Sequence, residues 1–204
     1  LKAIVASLLT DEEVIIDNVP DIGDVVLMLD LVRGLGKSVT YTNHVATISG
    51  AMTSPIVPLD VGARLRTSAM VLGPMLARMG RAMIPNPGGC RIGARPIDRH
   101  IEGLTKMGAS ITYHSEDGYF HASAQKLTGT NYRFLKNTHT GTETLLLAAA
   151  VSEGQTVLEN AAAEVEIDDL IALLNSMGAH IKRTTPRAIV IEGVKSLHKT
   201  QYAI

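Results

Sequence analysis

A motif of the form Leu/Met-Gly-x-x-Val/Ile occurs three times in this chain of 204 residues, at intervals of about 70 residues. The copies lie at residues 35–39, 107–111 and 177–181. Self-similarity at a fixed period indicates that a chain is built from similar supersecondary units packed side by side. This repeat constrains the fold more than any other feature of the sequence.

The same elements are predicted around each copy of the motif. Apolar residues three or four apart precede it and predict a helix with one buried face, and the motif's Gly is suited to ending that helix. Two alternating segments after the motif predict a β-hairpin. An apolar helix and a strand ending in Asn come before, and a further strand such as 130–135 opens the unit. The helical stripes are Ile22, Val25, Leu29 and Val32; Ile97, Ile101 and Leu104; and Ile167, Leu170, Ile171 and Leu174. The hairpins are 38–42 with 45–49, 110–114 with 119–123, and 180–184 with 188–192, and the strands ending in Asn are 14–18, 82–86 and 156–160. We therefore predict an α/β chain with repeats at about 1–50, 51–125 and 126–204.

Composition excludes several classes of function. A net charge of −1 and few aromatic residues argue against nucleic acid as a partner. The single cysteine cannot form an internal disulfide, no apolar run reaches the roughly 20 residues of a membrane span, and no basic signal-peptide start is seen. The seven histidines lack metal-ligand spacing, so no metal is expected. We expect a soluble, cytoplasmic protein with no membrane association.

The second repeat is longer than the other two. From the strand-ending Asn to the motif there are 17 residues in the first and third repeats (18 to 35 and 160 to 177) and 21 in the second (86 to 107). The additional residues fall in Pro-Gly-Gly-Cys at 87–90, and Arg91, Arg95 and Arg99 follow. Cationic neighbours and a helix start near Pro96 favour a thiolate at Cys90 and an anion on the same loop. The alternatives are a buried structural cysteine and an insertion tolerated without function.

A family resemblance rests on residues 66–69, 72–78 and above all 87–98, and it extends along essentially the whole chain. The sequence resembles the UDP-N-acetylglucosamine 1-carboxyvinyltransferases, which are enolpyruvyl transferases. The resemblance implies an inside-out, barrel-like α/β lobe of three repeats with helices inside and sheets outside. Members have roughly twice this length, so residues 1–204 are expected to be a single lobe, with the missing second lobe as partner. Since that lobe supplies an aspartate base and further arginines, this chain is expected to hold half an active site and to be inactive alone.

The resemblance also implies a reaction. Enolpyruvyl passes from phosphoenolpyruvate to the 3-hydroxyl of UDP-N-acetylglucosamine, which is the first committed step of peptidoglycan synthesis, and no cofactor is required. Cys90 corresponds to the proton donor that fosfomycin alkylates. Arg66 and Arg95 correspond to arginines that face phosphoenolpyruvate and the nucleotide sugar.

Two segments correspond to the nucleotide site. The first is Arg95, Pro96, Ile97, Asp98 and Arg99, and the second is Lys136, Thr138, His139 and Thr140. His139 stands where relatives often have an aliphatic residue. The residues alone also allow structural roles. Asp98 could cap or complement the N-terminus of its helix, and Lys136 could be a solvated surface charge. Thr138 and Thr140 could cap a helix that begins near residue 141.

Three alternatives remain open at this point. The chain is a lobe of a shikimate-phosphate enolpyruvyl transferase, a non-catalytic module that binds a nucleotide sugar, or a structural fragment that binds nothing. Cys90 and the Arg-Pro-Ile-Asp run at 95–98 favour the UDP-N-acetylglucosamine enzyme over the first of these.

Overall fold

Three β-sheets surround a set of apolar helices in a computed structural model that describes residues 1–88 and 96–204. The helices in these residues are α1 (Lys2–Ala6), α2 (Gly23–Gly34), α3 (Leu59–Gly62), α4 (Leu72–Met79), α5 (Asp98–Lys106), α6 (His139–Ala149) and α7 (Val165–Ser176). Short 3₁₀ segments cover Ser7–Leu9 and Arg66–Val71. The strands are β1 (Val14–Asp17), β2 (Ser38–Thr42), β3 (Val45–Ser49), β4 (Arg81–Pro85), β5 (Ser110–His114), β6 (Tyr119–Ser123), β7 (Asn131–Arg133), β8 (Gln155–Glu159), β9 (His180–Thr185), β10 (Ala188–Glu192) and β11 (Thr200–Ala203).

The three sheets share one plan. Their strand orders are β11-β1-β3-β2, β4-β6-β5 and β7-β8-β10-β9. In each sheet a predicted hairpin pairs antiparallel with the strand that precedes α2, α5 or α7 along the chain, and these strands are β1, β4 and β8. The three hairpins predicted from alternation are confirmed, with β9 one residue longer than expected.

The sheets differ in the strand that opens them. In the third sheet β7 pairs parallel with β8, as the prediction of a strand near 130–135 required. In the first sheet this place is taken by β11 from the far end of the chain, parallel to β1, which the sequence analysis did not anticipate. In the second sheet only an isolated bridge from Ile56 to Met83 remains. Pro55 and Pro58 flank that bridge and lack the N–H groups that a longer strand would need.

The helices form the interior. Every residue of α6 from Gly141 to Ala149 is buried, so this helix contacts protein on all sides. Strands β1, β3, β8 and β10 bury alternate residues, as in β10, where Ile189 and Ile191 are buried and Val190 is only half-buried. Helices therefore lie inside and sheets outside, and the three sheets remain separate in the described residues.

Helices α2, α5 and α7, which carry the predicted apolar stripes, end in the same way. Gly36, Gly108 and Gly178 follow them with φ angles of 105°, 104° and 101°. In each case the Gly N–H and the next N–H donate back to carbonyls of the last helical turn, which is the Schellman arrangement. Only glycine adopts this backbone readily, so the predicted helix ends are confirmed and explained.

Asn18 and Asn160 occupy equivalent left-handed turns. Their φ angles are 61° and 51°, and each side chain donates from Nδ2 at 2.8 Å to the carbonyl that follows an opening strand, that of Ile204 or of Phe134. Asparagine adopts this left-handed conformation more readily than most other residues that carry a Cβ atom. These two residues tie the opening strand to its sheet.

Within the described part of the chain, no helix combines the length and apolar character that crossing a membrane requires.

Candidate functional site

The predicted site residues that the structure describes lie at or just before the N-terminal ends of helices. Arg66 begins the 3₁₀ segment before α4, residues 96–99 lead into α5, and residues 138–140 begin α6. The first two are in direct contact, since the Arg66 Nη2 donates to the Pro96 carbonyl at 3.4 Å. Helix N-termini carry unsatisfied N–H groups and partial positive charge, so this grouping suits an anionic ligand.

Cys90 and Arg95 lie outside the described residues. Their proposed roles therefore rest on the sequence alone.

The start of α5 leaves two charged side chains available. Ile97 is the N-cap and is 4% exposed, while Pro96 and Asp98 are exposed and Arg99 is half-buried. The helix begins at Asp98, two residues after the predicted start at Pro96. Ile97 occupies the N-cap position and makes no side-chain cap hydrogen bond, so the interpretation of Asp98 as an N-cap is wrong, although its charge in the first turn still complements the helix dipole.

The start of α6 is fixed by threonine hydroxyls. The Thr138 Oγ1 accepts from the Gly141 N–H at 3.3 Å, and Thr142 and Thr144 donate to the carbonyls of Thr138 and Thr140 at 2.7 and 2.9 Å. Thr138 is thus the predicted local cap, and the helix begins at His139, two residues earlier than expected. The Gly141 N–H is occupied by this cap, and the other N–H groups of a first helical turn lack partners within the helix, which suits them to binding an anion. Lys136 is exposed just before this turn.

The two segments are joined through the helices behind them. In the described residues no hydrogen bond links 96–99 to 136–140. Instead α5 packs directly on α6, where Gly103 gives the Leu145 side chain room that a Cβ atom would fill. The Tyr132 hydroxyl, preceding α6, also donates to the Glu102 carboxylate of α5 at 3.0 Å. The relative position of the two segments is therefore set by packing.

A buried carboxylate at this end of the molecule was missed by the sequence analysis. Glu143 is 3% exposed, and its Oε1 lies 3.7 Å from both Lys2 Nζ and His139 Nδ1. Burial raises the pKa of Glu143, while the charges of His139 and Lys2 oppose that rise. The repeat places Glu143 in the same position as two apolar residues, because Leu1, Ala69 and Glu143 each stand 17 residues before the strand-ending Asn. A carboxylate in a position that is otherwise apolar could have identified Glu143 from the sequence.

A buried imidazole was missed as well. His100 is 3% exposed, and neither ring nitrogen has a hydrogen-bond partner among the residues that the structure describes. Burial, together with the charges of Arg66 and Arg99, lowers the pKa of His100 to about 4, so the ring is neutral near pH 7. His100 stands eight residues before Gly108, and the equivalent residues before Gly36 and Gly178 are the apolar Met28 and Leu170. Comparison of the repeats could therefore have identified His100 as an exception.

This arrangement is suited to binding and orienting an anionic ligand. Guanidinium groups pair bidentately with carboxylates and phosphates, and two helix starts supply N–H groups close by. Among residues 1–88 and 96–204, no group of three or more His, Cys, Asp and Glu side chains is placed to hold a metal ion.

Comparison with known families identifies the class of protein. The model of the family EPSP synthase (3-phosphoshikimate 1-carboxyvinyltransferase) matches residues 1–204. The chain belongs to this family of carboxyvinyl, or enolpyruvyl, transferases, as the sequence resemblance implied.

Curated relatives sharpen the assignment. The chain is 44% identical over 209 residues to a UDP-N-acetylglucosamine 1-carboxyvinyltransferase from Acidobacterium capsulatum, and 44% identical over 204 residues to one from Desulfovibrio desulfuricans. Both alignments cover 100% of this chain and 48% of the relative. The chain thus spans about half the length of the curated relatives it matches, consistent with one lobe.

Solved structures support the fold. The enolpyruvyl transferase NikO from Streptomyces tendae matches with a TM-score of 0.84 at 22% identity, covering 100% of this chain and 48% of that one. An EPSP synthase from Acinetobacter baumannii matches with a TM-score of 0.77 at 20% identity, covering 100% of this chain and 46% of that one. The enolpyruvyl transferase fold predicted from the sequence is confirmed.

Proposed function

We propose that this chain is one lobe of an enzyme that transfers enolpyruvyl from phosphoenolpyruvate to the 3-hydroxyl of UDP-N-acetylglucosamine and releases phosphate. The observation that carries the proposal is the 42–44% identity to enzymes of that name along essentially the whole chain. The cluster of arginines and helix starts is of the kind these substrates need. The reaction is the first committed step of peptidoglycan synthesis, and we expect it to occur in the cytoplasm, where phosphoenolpyruvate is produced.

The reaction is an addition followed by an elimination. The sugar hydroxyl adds to C2 of phosphoenolpyruvate while Cys90 donates a proton to C3, and the hydroxyl proton passes to a base on the second lobe. Loss of a proton from C3 and departure of phosphate from C2 then restore the double bond. Arg66 and Arg95 hold the carboxylate and the phosphate, because the planar guanidinium group donates two parallel hydrogen bonds to a pair of their oxygen atoms.

The nucleotide is proposed to bind across the starts of α5 and α6. Asp98 accepts from the uracil N–H, with Pro96, Ile97 and Arg99 shaping the pocket. Lys136 and the helix start at Thr138, His139 and Thr140 bind the diphosphate. No cofactor takes part in these steps. Because the base belongs to the missing lobe, we expect the chain alone to bind the nucleotide sugar without turnover.

A backbone-amide NMR titration with UDP-N-acetylglucosamine tests the proposal. We expect chemical-shift changes clustered at residues 96–99 and 136–140, and no phosphate release when phosphoenolpyruvate is added. Shikimate 3-phosphate is the control ligand, because the matching family is named for the enzyme that uses it. Shifts with shikimate 3-phosphate but not with the nucleotide sugar would reassign the substrate. No shifts with either ligand at millimolar concentration would contradict nucleotide binding by this lobe.

Fosfomycin tests the role of Cys90 separately. The thiolate opens the epoxide by forming a C–S bond as the C–O bond breaks. In the presence of UDP-N-acetylglucosamine we expect one covalent adduct, located by peptide mass spectrometry on Cys90 and absent from Cys90→Asp. Labelling of the Cys90→Asp variant would overturn the assignment.

A further inference from the structure

His100 is a buried polar side chain in a position that the other two repeats fill with the apolar residues Met28 and Leu170. Among the described residues neither nitrogen of its ring has a hydrogen-bond partner. Burying a polar group without a partner is unfavourable, so methionine or leucine would stabilise this position better than histidine does. The imidazole therefore calls for a reason other than stability.

The polar atoms without partners are concentrated beside Arg66. In the described part of the chain, five buried side-chain atoms lack a hydrogen-bond partner, and three of them belong to Thr67 and His100. Thr67 follows Arg66 in the chain, and the charge of Arg66 acts on the His100 ring. Unsatisfied polar groups in a native interior are more typical of a functional site than of a core built for packing.

Arg66 and His100 lie together at the first turn of α5. The Arg66 Nη2 donates to the Pro96 carbonyl at 3.4 Å, two residues before the helix begins. His100 is the third residue of the helix, and its backbone N–H donates to the Ile97 carbonyl at 2.9 Å. This turn brings His100 back beside the segment that Arg66 contacts, so the ring and the guanidinium share one corner of the fold.

The charge state of the ring suits it to a place beside an arginine. Burial, and then the charges of Arg66 and Arg99, lower the pKa of His100 to about 4, so the ring is neutral near pH 7. A neutral imidazole keeps one nitrogen as a hydrogen-bond acceptor and carries no net charge. A carboxylate in the same place would neutralise the guanidinium, and a methionine would offer it no comparable acceptor.

We propose that His100 is a positioning residue for Arg66, whose guanidinium it orients towards an anionic substrate without cancelling the guanidinium charge. The ring acts through Arg66, and we do not expect it to contact the ligand. This inference rests on the proposed function, because it assigns a role to a residue behind the same anion site. It gives a reason for a histidine where the other repeats have methionine and leucine.

A double-mutant cycle measures whether His100 acts through Arg66. Calorimetry gives the dissociation constant of UDP-N-acetylglucosamine for the 204-residue chain, His100→Met, Arg66→Lys and the double variant. We expect His100→Met, which copies Met28, to weaken binding about five- to tenfold in the wild type and less than about twofold in Arg66→Lys, which lacks the planar fork. His100→Gln keeps a neutral acceptor and is expected to bind within about threefold of the wild type. Leu170→Met, at the equivalent position of the third repeat, is the control and is expected to leave binding unchanged.

A second measurement needs no ligand. The order parameter of the Arg66 Nε–H bond is measured by ¹⁵N NMR relaxation, and its signal is assigned by its absence from Arg66→Lys. We expect the order parameter to fall by about 0.2 or more in His100→Met, to recover in His100→Gln and to stay unchanged in Leu170→Met.

The outcomes separate this inference from the proposed function. Equal weakening by His100→Met with Arg66 and with Arg66→Lys would overturn the inference, because His100 would then act independently of the guanidinium. An Arg66 order parameter that His100→Met leaves unchanged would overturn it as well. If the wild type does not bind the nucleotide sugar but the order parameter depends on His100, the substrate assignment is contradicted and the positioning role is supported. If His100→Met does not fold, His100→Leu, which copies Leu170, takes its place.

Discussion

The start of α5 differs from the starts of α2 and α7, although the three helices are equivalent elements of one repeat. All three end in the same glycine turn, and each packs against the first strand of the hairpin that follows it. The first turn of all three helices carries an acidic residue, but among the described residues only α2 and α7 are preceded by an Asn, Asn18 or Asn160, that fastens the chain from a left-handed turn. Before α5 the chain is four residues longer, and Arg66 contacts it.

The comparison separates residues that build the fold from residues that are candidates for chemistry. Asn86, in the position of Asn18 and Asn160, is not among the described residues with positive φ. His100 replaces the apolar Met28 and Leu170. The second repeat thus departs from the common plan at several positions close to one another, which is typical of a functional site on a scaffold that the other repeats stabilise.

The largest effect is expected from the asparagine turns. Asn160→Ala removes the hydrogen bond to the Phe134 carbonyl. It also forces alanine into the left-handed backbone at φ 51°, which alanine adopts less readily than asparagine. We expect the free energy of unfolding to fall by about 2–3 kcal/mol. The matched change Asn86→Ala is expected to alter it by less than about 0.5 kcal/mol. Urea denaturation of both variants checks this, and equal losses would show that the second repeat uses its Asn in the same way.

The next effect depends on pH and concerns His100. The pKa of this ring falls from 6.5 in an unfolded chain to about 4 in the fold. Between these values the unfolded chain binds more protons than the folded one, so stability falls as the pH is lowered from 6.5 towards 4. His100→Met, which copies the equivalent Met28, removes this penalty. We expect the free energy of unfolding of the variant, measured relative to the wild type, to be roughly 2 kcal/mol higher at pH 5 than at pH 7. Urea denaturation at both pH values measures it, and a difference that does not change with pH would contradict a buried neutral ring.

The smallest effect distinguishes two aspartates in equivalent positions. Asp98 and Asp168 both stand ten residues before the helix-ending Gly, at 108 and 178. Asp168 pairs with Arg183 at 2.6 Å, whereas Asp98 is proposed to bind uracil. We expect Asp98→Asn to weaken UDP-N-acetylglucosamine binding about tenfold with little change in stability. Asp168→Asn is expected to cost about 0.5–1 kcal/mol of stability and no affinity. Calorimetry and urea denaturation on both variants test the pair, and the reverse pattern would refute the site assignment.

Sequence reasoning predicted most of the fold because its signals are local and occur three times. Alternation at 110–114 and 119–123 and the glycines at 36, 108 and 178 fix hairpins and helix ends through near-neighbour interactions. The pairing of β11 with β1 could not be predicted from the sequence, because it joins residues about 186 positions apart and no local pattern specifies a partner strand. Asp98 and Thr138 were both considered as caps, and only backbone geometry showed that Thr138 is one and Asp98 is not.

By itself the sequence determined the repeat, the elements within it, the exceptional second repeat and the enolpyruvyl transferase family. The repeat, its elements and its exception follow from periodicity, turn chemistry and motif spacing, which act along the chain, whereas the family follows from the resemblance carried by residues 66–69, 72–78 and 87–98. Tertiary structure decided that Lys2, His139 and Glu143 meet, that His100 is buried with no hydrogen-bond partner in the described part of the chain, and that Arg66 reaches the start of α5. Such contacts depend on how helices pack across the interior, and the free energy of a buried charge depends on its surroundings in three dimensions.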